Sequence, residues 1–238
     1  MWHHTRSNFA NNDIDFDREV FVDTGETILI NLESLLFPFK NKKINILEIG
    51  VYEGKSLMIW KDYFPKANII GVDLLSYNFK IKRIFTFQGD QTDTRFLLDL
   101  IKKFKRFDII IDDGSHVSKH IIKTFNFLFD YLVDGGLYIA EDLQTSYFPR
   151  FGGSRLNLRK KNTSLNFFKT LVDSGNFEMH DRPFYKRNKF DGKIKFIHFY
   201  QNLMILKKGK TDSLQYSKLK PKYSFGNSLK KIISKFYL

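Results

Sequence analysis

The stretch INILEIGVYEGKSL, residues 44–57, decides the fold of this chain. Its first half is a run of aliphatic and β-branched residues, the pattern of a strand that is covered on both faces. Gly50 and Gly54 predict a turn, and the residues from about Lys55 to Tyr63 have a helical pattern. A buried strand that turns directly into a helix is the beginning of a βαβ unit.

The same alternation of strands and helices continues up to Glu141. Further strands are predicted over 67–73, 83–87, 107–112 and 137–141, with helices through 96–104 and over about 117–131. Strands and helices that alternate at this spacing predict a parallel sheet with right-handed crossovers. The predicted fold is therefore α/β, a doubly wound and mostly parallel sheet.

After Glu141 the pattern changes. Residues 143–162 contain Pro149, Gly152 and Gly153 and predict a long loop, and a helix is expected from about Ser164. Two short strands, 193–200 and 203–206, are joined by two polar residues and predict a hairpin. We divide the chain into a helical N-terminal segment (1–40), a central α/β domain (41–208) and a basic C-terminal tail (209–238).

Composition excludes several classes of protein. The 238 residues include no cysteine, which excludes disulfide scaffolds, cysteine-ligated metals and thiol nucleophiles. Hydrophobic residues make up 42% of the chain, enough for a sizeable core. Neither a spanning helix nor a secretory leader is evident, and we expect a cytoplasmic protein.

Positive charge is concentrated near the C-terminus. The net charge is +13, and residues 207–238 contribute +8 of it. Residues 228–238 have the pattern of a basic amphipathic helix. We favour docking of this helix on its own domain or on a partner subunit; peripheral contact with the inner membrane face and binding of nucleic acid are the alternatives. Nucleic acid is the least favoured partner, and we expect a homo-oligomer.

Three consecutive strand ends carry the residues that an adenosyl ligand needs. The turn after Glu48 has glycines that let backbone N–H groups approach an anionic group. Asp73 ends the second strand, where such folds bind a ribose, and Asp90 follows the third, in reach of an adenine amine. The spacing Glu-x-Gly-x-x-x-Gly favours S-adenosylmethionine over a dinucleotide.

Acidic residues follow two neighbouring strands of the predicted sheet. Asp113 comes directly after the fourth strand, and Glu141 and Asp142 end the fifth. Adjacent strands lie about 4.8 Å apart, so these carboxylates converge and require a cation. Oxygen ligands favour a hard ion such as Mg²⁺. The alternative is that the acids only cap the helices that follow.

His116 lies three residues after Asp113, at the start of a predicted helix. A helix N-terminus disfavours the imidazolium ion, so we expect a neutral ring that can act as a general base. The alternative is a surface histidine near a helix cap.

At this point the motifs resemble a known family. The runs ILEIGVYEGKSL, GDQTD, IIDDGSH, EDLQTSY and IHFYQNLMILKKG are similar to class I S-adenosylmethionine-dependent methyltransferases, and more narrowly to the metal-dependent macrolide-sugar O-methyltransferases of the macrocin and mycinamicin type. The resemblance covers roughly residues 44–208. It implies a seven-stranded Rossmann-like sheet whose last hairpin is antiparallel. Lys55 and Gln144 depart from the family pattern, which more often has Gly and His there.

The resemblance implies a role for each candidate residue. His116 would be the base, and Asp113, Glu141 and Asp142 would hold Mg²⁺. Tyr147 and Arg150, in the loop after Asp142, would contact the acceptor. The donor would be bound by Glu48, Gly50, Tyr52, Gly54, Ser56, Asp73, Asp90, Gln91 and Asp112.

The expected reaction is transfer of a methyl group from S-adenosylmethionine to a sugar hydroxyl, on a glycoside or a surface-polysaccharide precursor. Two alternatives stay open. One is a methyltransferase with another acceptor, either a catechol-like small molecule or RNA. The other is a non-catalytic protein that binds an adenosyl ligand.

Overall fold

The computed structural model describes residues 32–179 and 186–211. They form one seven-stranded sheet, in the spatial order β3-β2-β1-β4-β5-β7-β6. The first five strands are parallel, and β7 pairs antiparallel with both β5 and β6. The strands are β1 (Asn45–Ile49), β2 (Asn68–Asp73), β3 (Ile84–Gln88), β4 (Phe107–Asp112), β5 (Leu132–Ala140), β6 (Ile194–Phe199) and β7 (Met204–Lys208).

Four helices connect or cover these strands. They are α1 (Lys55–Tyr63), α2 (Thr94–Phe104), α3 (Ser118–Leu128) and α4 (Ser164–Gly175). Capping residues explain where two of them begin, because the side chain of Asp93 accepts from the first turn of α2 and that of Thr163 accepts from α4. Short 3₁₀ turns follow α3 (Phe129–Tyr131) and lie in the segment after β5 (Leu143–Tyr147 and Pro149–Phe151).

The order of the strands positions the site. From β1 the chain runs outward through β2 and β3, and it then returns to β4 on the other side of β1. Ligands of doubly wound sheets bind at such a reversal, beyond the carboxyl ends of the strands. Here the reversal lies between β1, which ends at Ile49, and β4, which ends at Asp112.

Apolar side chains cover both faces of the sheet. One face packs against α2, α3 and α4, with Phe125 and Phe168 in its centre. The other packs against α1 and the residues 32–39, with Trp60 and Leu36 fully buried. Strands covered on both faces have continuous apolar sequences, which is the pattern that β1 and β4 show.

The predicted architecture is confirmed, with one correction to an element. β5 begins at Leu132, five residues before the predicted start, so the Asp-Gly-Gly run at 134–136 lies inside the strand rather than in a turn before it. The register against β4 shifts here, with Phe107 opposite Leu132 and Ile109 opposite Leu137. The glycines accommodate this bulge: Gly135 has φ +86°, and a Cβ on Gly136 would lie 2.8 Å from the carbonyl oxygen of Asp108.

The terminal segments lie mostly outside the described residues. The expected N-terminal helix is seen only over 32–36, continued by a 3₁₀ turn at Phe37–Phe39. The predicted amphipathic helix at 228–238 lies outside them altogether. Within the described ranges, no helix combines the length and the apolar composition that crossing a bilayer needs.

Candidate functional site

The turn after β1 is in direct contact with the residue that follows β4. Gly50 has φ +94°, and a Cβ there would lie 2.2 Å from the carbonyl oxygen of Asp113. The two strand ends are also joined by a hydrogen bond from the Asp113 amide to the Ile49 carbonyl, 2.9 Å. Glycine is therefore required at position 50 both by its backbone conformation and by the space available.

Asp73 holds the same turn from the other side. Its carboxylate accepts hydrogen bonds from the amides of Val51 (2.8 Å), Tyr52 (3.2 Å) and Leu75 (2.9 Å). Tyr52 adopts φ 47° and exposes 65% of its surface beside this turn. Binding of a ribose by Asp73 stays a prediction; in the structure, its carboxylate shapes the glycine turn.

Glu48 does not face the site. The carboxylate is buried and accepts hydrogen bonds from the Ser56 hydroxyl and, at 2.6 Å, from the Trp60 indole. Burial raises the pKa of Glu48 to about 7, although both hydrogen bonds act in the opposite direction. Glu48 and Ser56, predicted as donor-binding residues, thus join β1 to α1 behind the turn.

Gln91 and Asp112 form a buried network below the site. The Gln91 amide nitrogen donates to Asp112 (3.0 Å) and to the Thr124 hydroxyl (3.1 Å), and its oxygen accepts from the Ser115 amide (2.8 Å). The other oxygen of Asp112 accepts from the Tyr138 hydroxyl at 2.8 Å. Burial raises the pKa of Asp112 to about 6. In the structure their polar atoms bind each other and the core, and contact of these two residues with a donor stays a prediction.

The remaining donor-binding candidates lie at the open edge of the sheet. Asp90 is exposed, and a hydrogen bond from the Thr92 amide lowers the pKa of its carboxyl group. Gly54 has φ +73°, and a Cβ there would lie 2.4 Å from the ring of Phe79. That ring stacks on Tyr77, with centroids 6.0 Å apart. Contact of Asp90 and Gly54 with a donor stays a prediction.

Asp113, His116 and Asp142 come together at the ends of β4 and β5. One ligand atom from each lies within 4.8 Å of the others. His116 Nδ1 is 4.0 Å from Asp113, and its Nε2 is 3.7 Å from Asp142. His116 Nδ1 is buried and has no hydrogen-bond partner among the described residues. Two carboxylates and an unsatisfied ring nitrogen make a donor set that suits a divalent cation.

Without a cation, the carboxylates at this edge of the sheet repel one another. Burial raises the pKa of the Asp113 carboxyl well above its usual value, and neighbouring carboxylates, first that of Asp142, raise it further. The Asp113 side chain nevertheless exposes 45% of its surface, so an ion from solvent can reach it. A bound cation would reverse these shifts and restore the ionised form.

Glu141 differs from the other two predicted ligands. Burial and the charge of Asp113 raise the pKa of its carboxyl group well above the usual value, which places it near the cluster. Among the described residues, however, the group with ligand atoms within 4.8 Å contains His116 in its place. The role of Glu141 as a ligand stays a prediction.

The pKa of His116 is shifted in the direction that a general base needs, but the cause differs from the one predicted. Desolvation lowers the pKa of the imidazole, and the charge of Asp142 opposes this. The helix that follows begins only at Ser118, and His116 itself has φ 55°, outside the helical conformation. Burial rather than the helix dipole is the main cause.

Thr145 and Gln144 position this group; no role was predicted for Thr145, and Gln144 was noted only as a departure from the family pattern. The hydroxyl of Thr145 lies 2.7 Å from the carbonyl oxygen of Asp142 and 3.0 Å from that of His116. Both of these residues have positive φ, 52° and 55°, which non-glycine residues rarely adopt. Gln144 donates to the Asp142 carboxylate at 2.9 Å. Both residues belong to the EDLQTSY run, which was the available signal.

The two predicted acceptor residues lie in the segment after β5. The guanidinium of Arg150 lies 4.6 Å from the ring centroid of Phe151, and that ring meets His116 edge-on with centroids 6.3 Å apart. Tyr147 exposes 37% of its surface. This segment therefore packs beside His116, and contact of either residue with an acceptor stays a prediction.

Comparison with known proteins connects this site to characterised enzymes. No protein-family model matches the chain. Mycinamicin VI 2''-O-methyltransferase of Micromonospora griseorubida is 37% identical over 183 residues, which cover 73% of this chain and 46% of that protein. The 8-demethyl-8-alpha-L-rhamnosyl tetracenomycin-C 2'-O-methyltransferase of Streptomyces olivaceus is 38% identical over 180 residues, which cover 72% and 47%.

Solved structures lead to the same group. The MycE methyltransferase from the mycinamycin biosynthetic pathway, in complex with Mg and SAH, superimposes with a TM-score of 0.73 at 34% identity and covers 77% of this chain and 50% of that one. The chain thus spans about half the length of the relatives that it matches. Sequence, sheet order and the acidic edge together place the region from β1 to β7 in the class I S-adenosylmethionine-dependent methyltransferases, with similarity to those that methylate macrolide sugars.

Proposed function

We propose that this protein transfers a methyl group from S-adenosylmethionine to a sugar hydroxyl with the help of a divalent cation. One observation carries the proposal: the glycine turn at Gly50 touches Asp113, which belongs to the cation-binding group. A donor at the turn and a cation at the acids would be neighbours. Methyl transfer needs this proximity, because the attacking oxygen must be held in line with the sulfonium methyl group.

The residues of the acidic edge have separate tasks. Asp113 and Asp142 would hold the cation, with Glu141 contributing from β5. When bound, a divalent cation acts as a Lewis acid that lowers the pKa of a sugar hydroxyl. The neutral ring of His116 accepts the proton of that hydroxyl, and Thr145 and Gln144 keep His116 and Asp142 in position.

The proposed acceptor is a glycoside. Two relatives are named for the methylation of sugars on mycinamicin and on tetracenomycin, and a third for L-olivosyl-oleandolide. The segment that contains Tyr147, Phe151 and Arg150 supplies aromatic and cationic groups beside His116. We further propose a precursor of a surface polysaccharide as the natural acceptor, because cationic side chains suit an acidic glycan.

Calorimetry and an activity assay test the proposal together. We expect S-adenosylhomocysteine to bind the full chain, and methyl transfer to a rhamnoside or glucoside to stop with EDTA and to return with Mg²⁺. Transfer that continues without any metal contradicts the role of the acids. Failure of the donor product to bind at millimolar concentration contradicts the enzymatic function, and transfer to a catechol instead of a glycoside contradicts the proposed acceptor.

Substitution of His116 separates two roles that its position allows. If His116 is the base, His116→Gln should lower kcat by about 10²–10⁴-fold. The affinity for Mg²⁺ and for S-adenosylhomocysteine should then change by less than about threefold. His120→Gln, in the first turn of α3, is the matched control, since its ring bonds to Ser115 and lies outside the group formed by Asp113, His116 and Asp142. A parallel fall in Mg²⁺ affinity for His116→Gln would show that His116 is a ligand instead.

A further inference from the structure

A second concave site lies beside the acidic edge. It is a cavity of about 450 Å³ between the first turn of α3 and the segment at Arg150 and Gly152. Lys160 and Asn162 close its far side. Neither the glycine turn at Gly50 nor the acidic residues of the proposed cation site belong to its lining. The proposed donor and cation sites therefore do not account for this cavity.

Three of the residues that line this cavity carry a positive charge. Lys119, Arg150 and Lys160 contribute three positive side chains, and none of its seven lining residues is acidic. Arg150 is held in place by its stacking on Phe151, and the Lys160 ammonium contacts the Gly153 carbonyl at 3.3 Å. Three cations around one concavity without a counter-charge predict an anionic ligand.

Unpaired donors at the floor of the cavity support the same conclusion. α3 begins here without a side-chain cap, and in the described chain the amides of Ser118 and Lys119 have no hydrogen-bond partner. The Ser118 hydroxyl is also without a partner, although the residue exposes only 1% of its surface. A buried hydroxyl that makes no hydrogen bond is unfavourable, and an anion at this helix terminus would satisfy it.

The cavity is close enough to the acidic edge to take part of the same molecule. Val117, in its wall, follows His116 directly in the chain, and Phe151, whose ring packs against His116, lies in the chain between the lining residues Arg150 and Gly152. A sugar whose hydroxyl reaches His116 would have a neighbouring substituent at α3.

We infer that the cavity binds a phosphoryl group attached to the sugar acceptor, so that the enzyme acts on a glycosyl phosphate or diphosphate. This inference rests on the proposed function. A phosphoryl group matches the site because it offers several oxygens in a compact dianion to three cations and a helix N-terminus. A sugar carboxylate has one charge and two oxygens, and it would leave part of this lining unsatisfied.

Binding to the full chain without metal or donor tests the inference. The probes are glucose 1-phosphate, inorganic phosphate, glucuronate and methyl glucoside, measured by calorimetry or by NMR. We expect glucose 1-phosphate to bind at least about tenfold more tightly than methyl glucoside or glucuronate. Tighter binding of glucose 1-phosphate than of inorganic phosphate indicates a sugar phosphate, and equal binding of the two, which indicates free phosphate, overturns the acceptor part of the inference.

Variants assign the binding to this cavity. Arg150→Gln and Lys160→Gln should each weaken glucose 1-phosphate by about tenfold, and Ser118→Ala by about fivefold. Lys169→Gln on α4 removes the same charge from an exposed position outside the cavity and should change the affinity by less than twofold. Thermal unfolding confirms that each variant is folded. Full affinity in both Arg150→Gln and Lys160→Gln, or equal binding of glucuronate, overturns the inference.

The inference and the proposed function fail in different ways. Methyl transfer to a neutral glycoside without any binding of phosphate rejects the phosphoryl site and leaves the function intact. Phosphate binding in a protein that does not bind S-adenosylhomocysteine rejects the function and, with it, the assignment of the phosphate to a methyl acceptor.

Discussion

Glu48 makes the stability of this domain dependent on pH. The carboxyl group ionises near pH 4.5 in an unfolded chain and near pH 7 in the folded one, so the folded state binds the proton more tightly. Its contribution to stability is present below pH 4.5 and is lost as the pH rises through 7. At about 1.4 kcal/mol per pKa unit, this amounts to about 3 kcal/mol.

We therefore expect Glu48→Gln to be more stable than the wild type at pH 8 and close to it at pH 5. The amide keeps hydrogen bonds with Ser56 and Trp60 but cannot ionise. Urea unfolding across this pH range gives the free energies, and the difference between the two proteins isolates Glu48. Glu53→Gln, in the same turn but exposed, is the control and should follow the wild type. An unchanged pH slope for Glu48→Gln would falsify this assignment.

Thr145 is a positioning residue with a measurable effect on the cation. Replacement by valine removes the hydroxyl that contacts the backbones of His116 and Asp142. We expect Mg²⁺ affinity to fall by about tenfold and the free energy of unfolding by about 1–3 kcal/mol, with S-adenosylhomocysteine bound as before. Calorimetry measures both ligands. Thr145→Ser keeps the hydroxyl and should restore Mg²⁺ affinity; valine with wild-type Mg²⁺ affinity contradicts this role.

The sequence predicted which residues lie near the site, but not which side chains each of them contacts. Asp112 and Asp113 are adjacent in the sequence, yet one points into the core toward Tyr138 and the other lies at the open edge. Alternation along a strand predicts that neighbouring side chains point in opposite directions. It does not predict which tyrosine or glutamine binds the buried one. His116 lies close to Asp142 because of the conformation of a loop. Hydrophobic periodicity does not predict the conformation of loops.

At the scale of elements, the β1 turn and the end of β4 act as one unit. Gly50→Ala would place a Cβ against the Asp113 carbonyl and force a positive φ on a residue that disfavours it. We expect a loss of several kcal/mol in stability, or failure to bind S-adenosylhomocysteine where the protein still folds.

Gly135→Ala is the control for the backbone conformation alone. Gly135 has a similar φ of +86°, but nothing lies within 4 Å of a Cβ there. Its cost should be about 1 kcal/mol, the cost of the left-handed conformation. Urea unfolding compares the two variants. Equal losses for both would show that contact with Asp113 adds nothing.

The order and type of the elements followed from the sequence because the strands are separated by turns and helices, and the central strands β1 and β4 are covered on both faces. β5 was predicted too short because Asp-Gly-Gly is typical of a turn, whereas here pairing with β4 continues across it. Tertiary pairing thus overrode a local turn signal. The segment after β5 was predicted only as a loop, since short 3₁₀ turns have no long period by which to recognise them.

At the scale of the whole molecule, the segment just after β7 is hydrogen-bonded to the segment just before β6. The Gly209 amide donates to Lys193 at 2.9 Å, and the Thr211 amide donates to Gly192 at 3.0 Å, so both fasten the end of β7 to the start of β6. Residues 212–238 carry six lysines and one aspartate. Their docking on the domain, on a partner subunit or on an anionic membrane stays a prediction.

We expect a protein that ends at Thr211 to bind S-adenosylhomocysteine within about twofold of the full chain, because the proposed donor site lies at the ends of β1, β2 and β3, in the half of the sheet away from β7. Calorimetry of both proteins makes the comparison, and thermal unfolding shows whether the shortened domain is intact. A large loss of affinity with the fold retained would mean that the tail reaches the donor site.

The contact between Gly50 and Asp113 has a thermodynamic consequence. Because no side chain separates the two strand ends, a shift of one would move the other, and occupancy at either of the two proposed ligand sites would alter the affinity at the other by an equal factor. The binding of the cosubstrate and the binding of the ion would then be linked. The half-saturating concentration of either would depend on the concentration of the other in the cell.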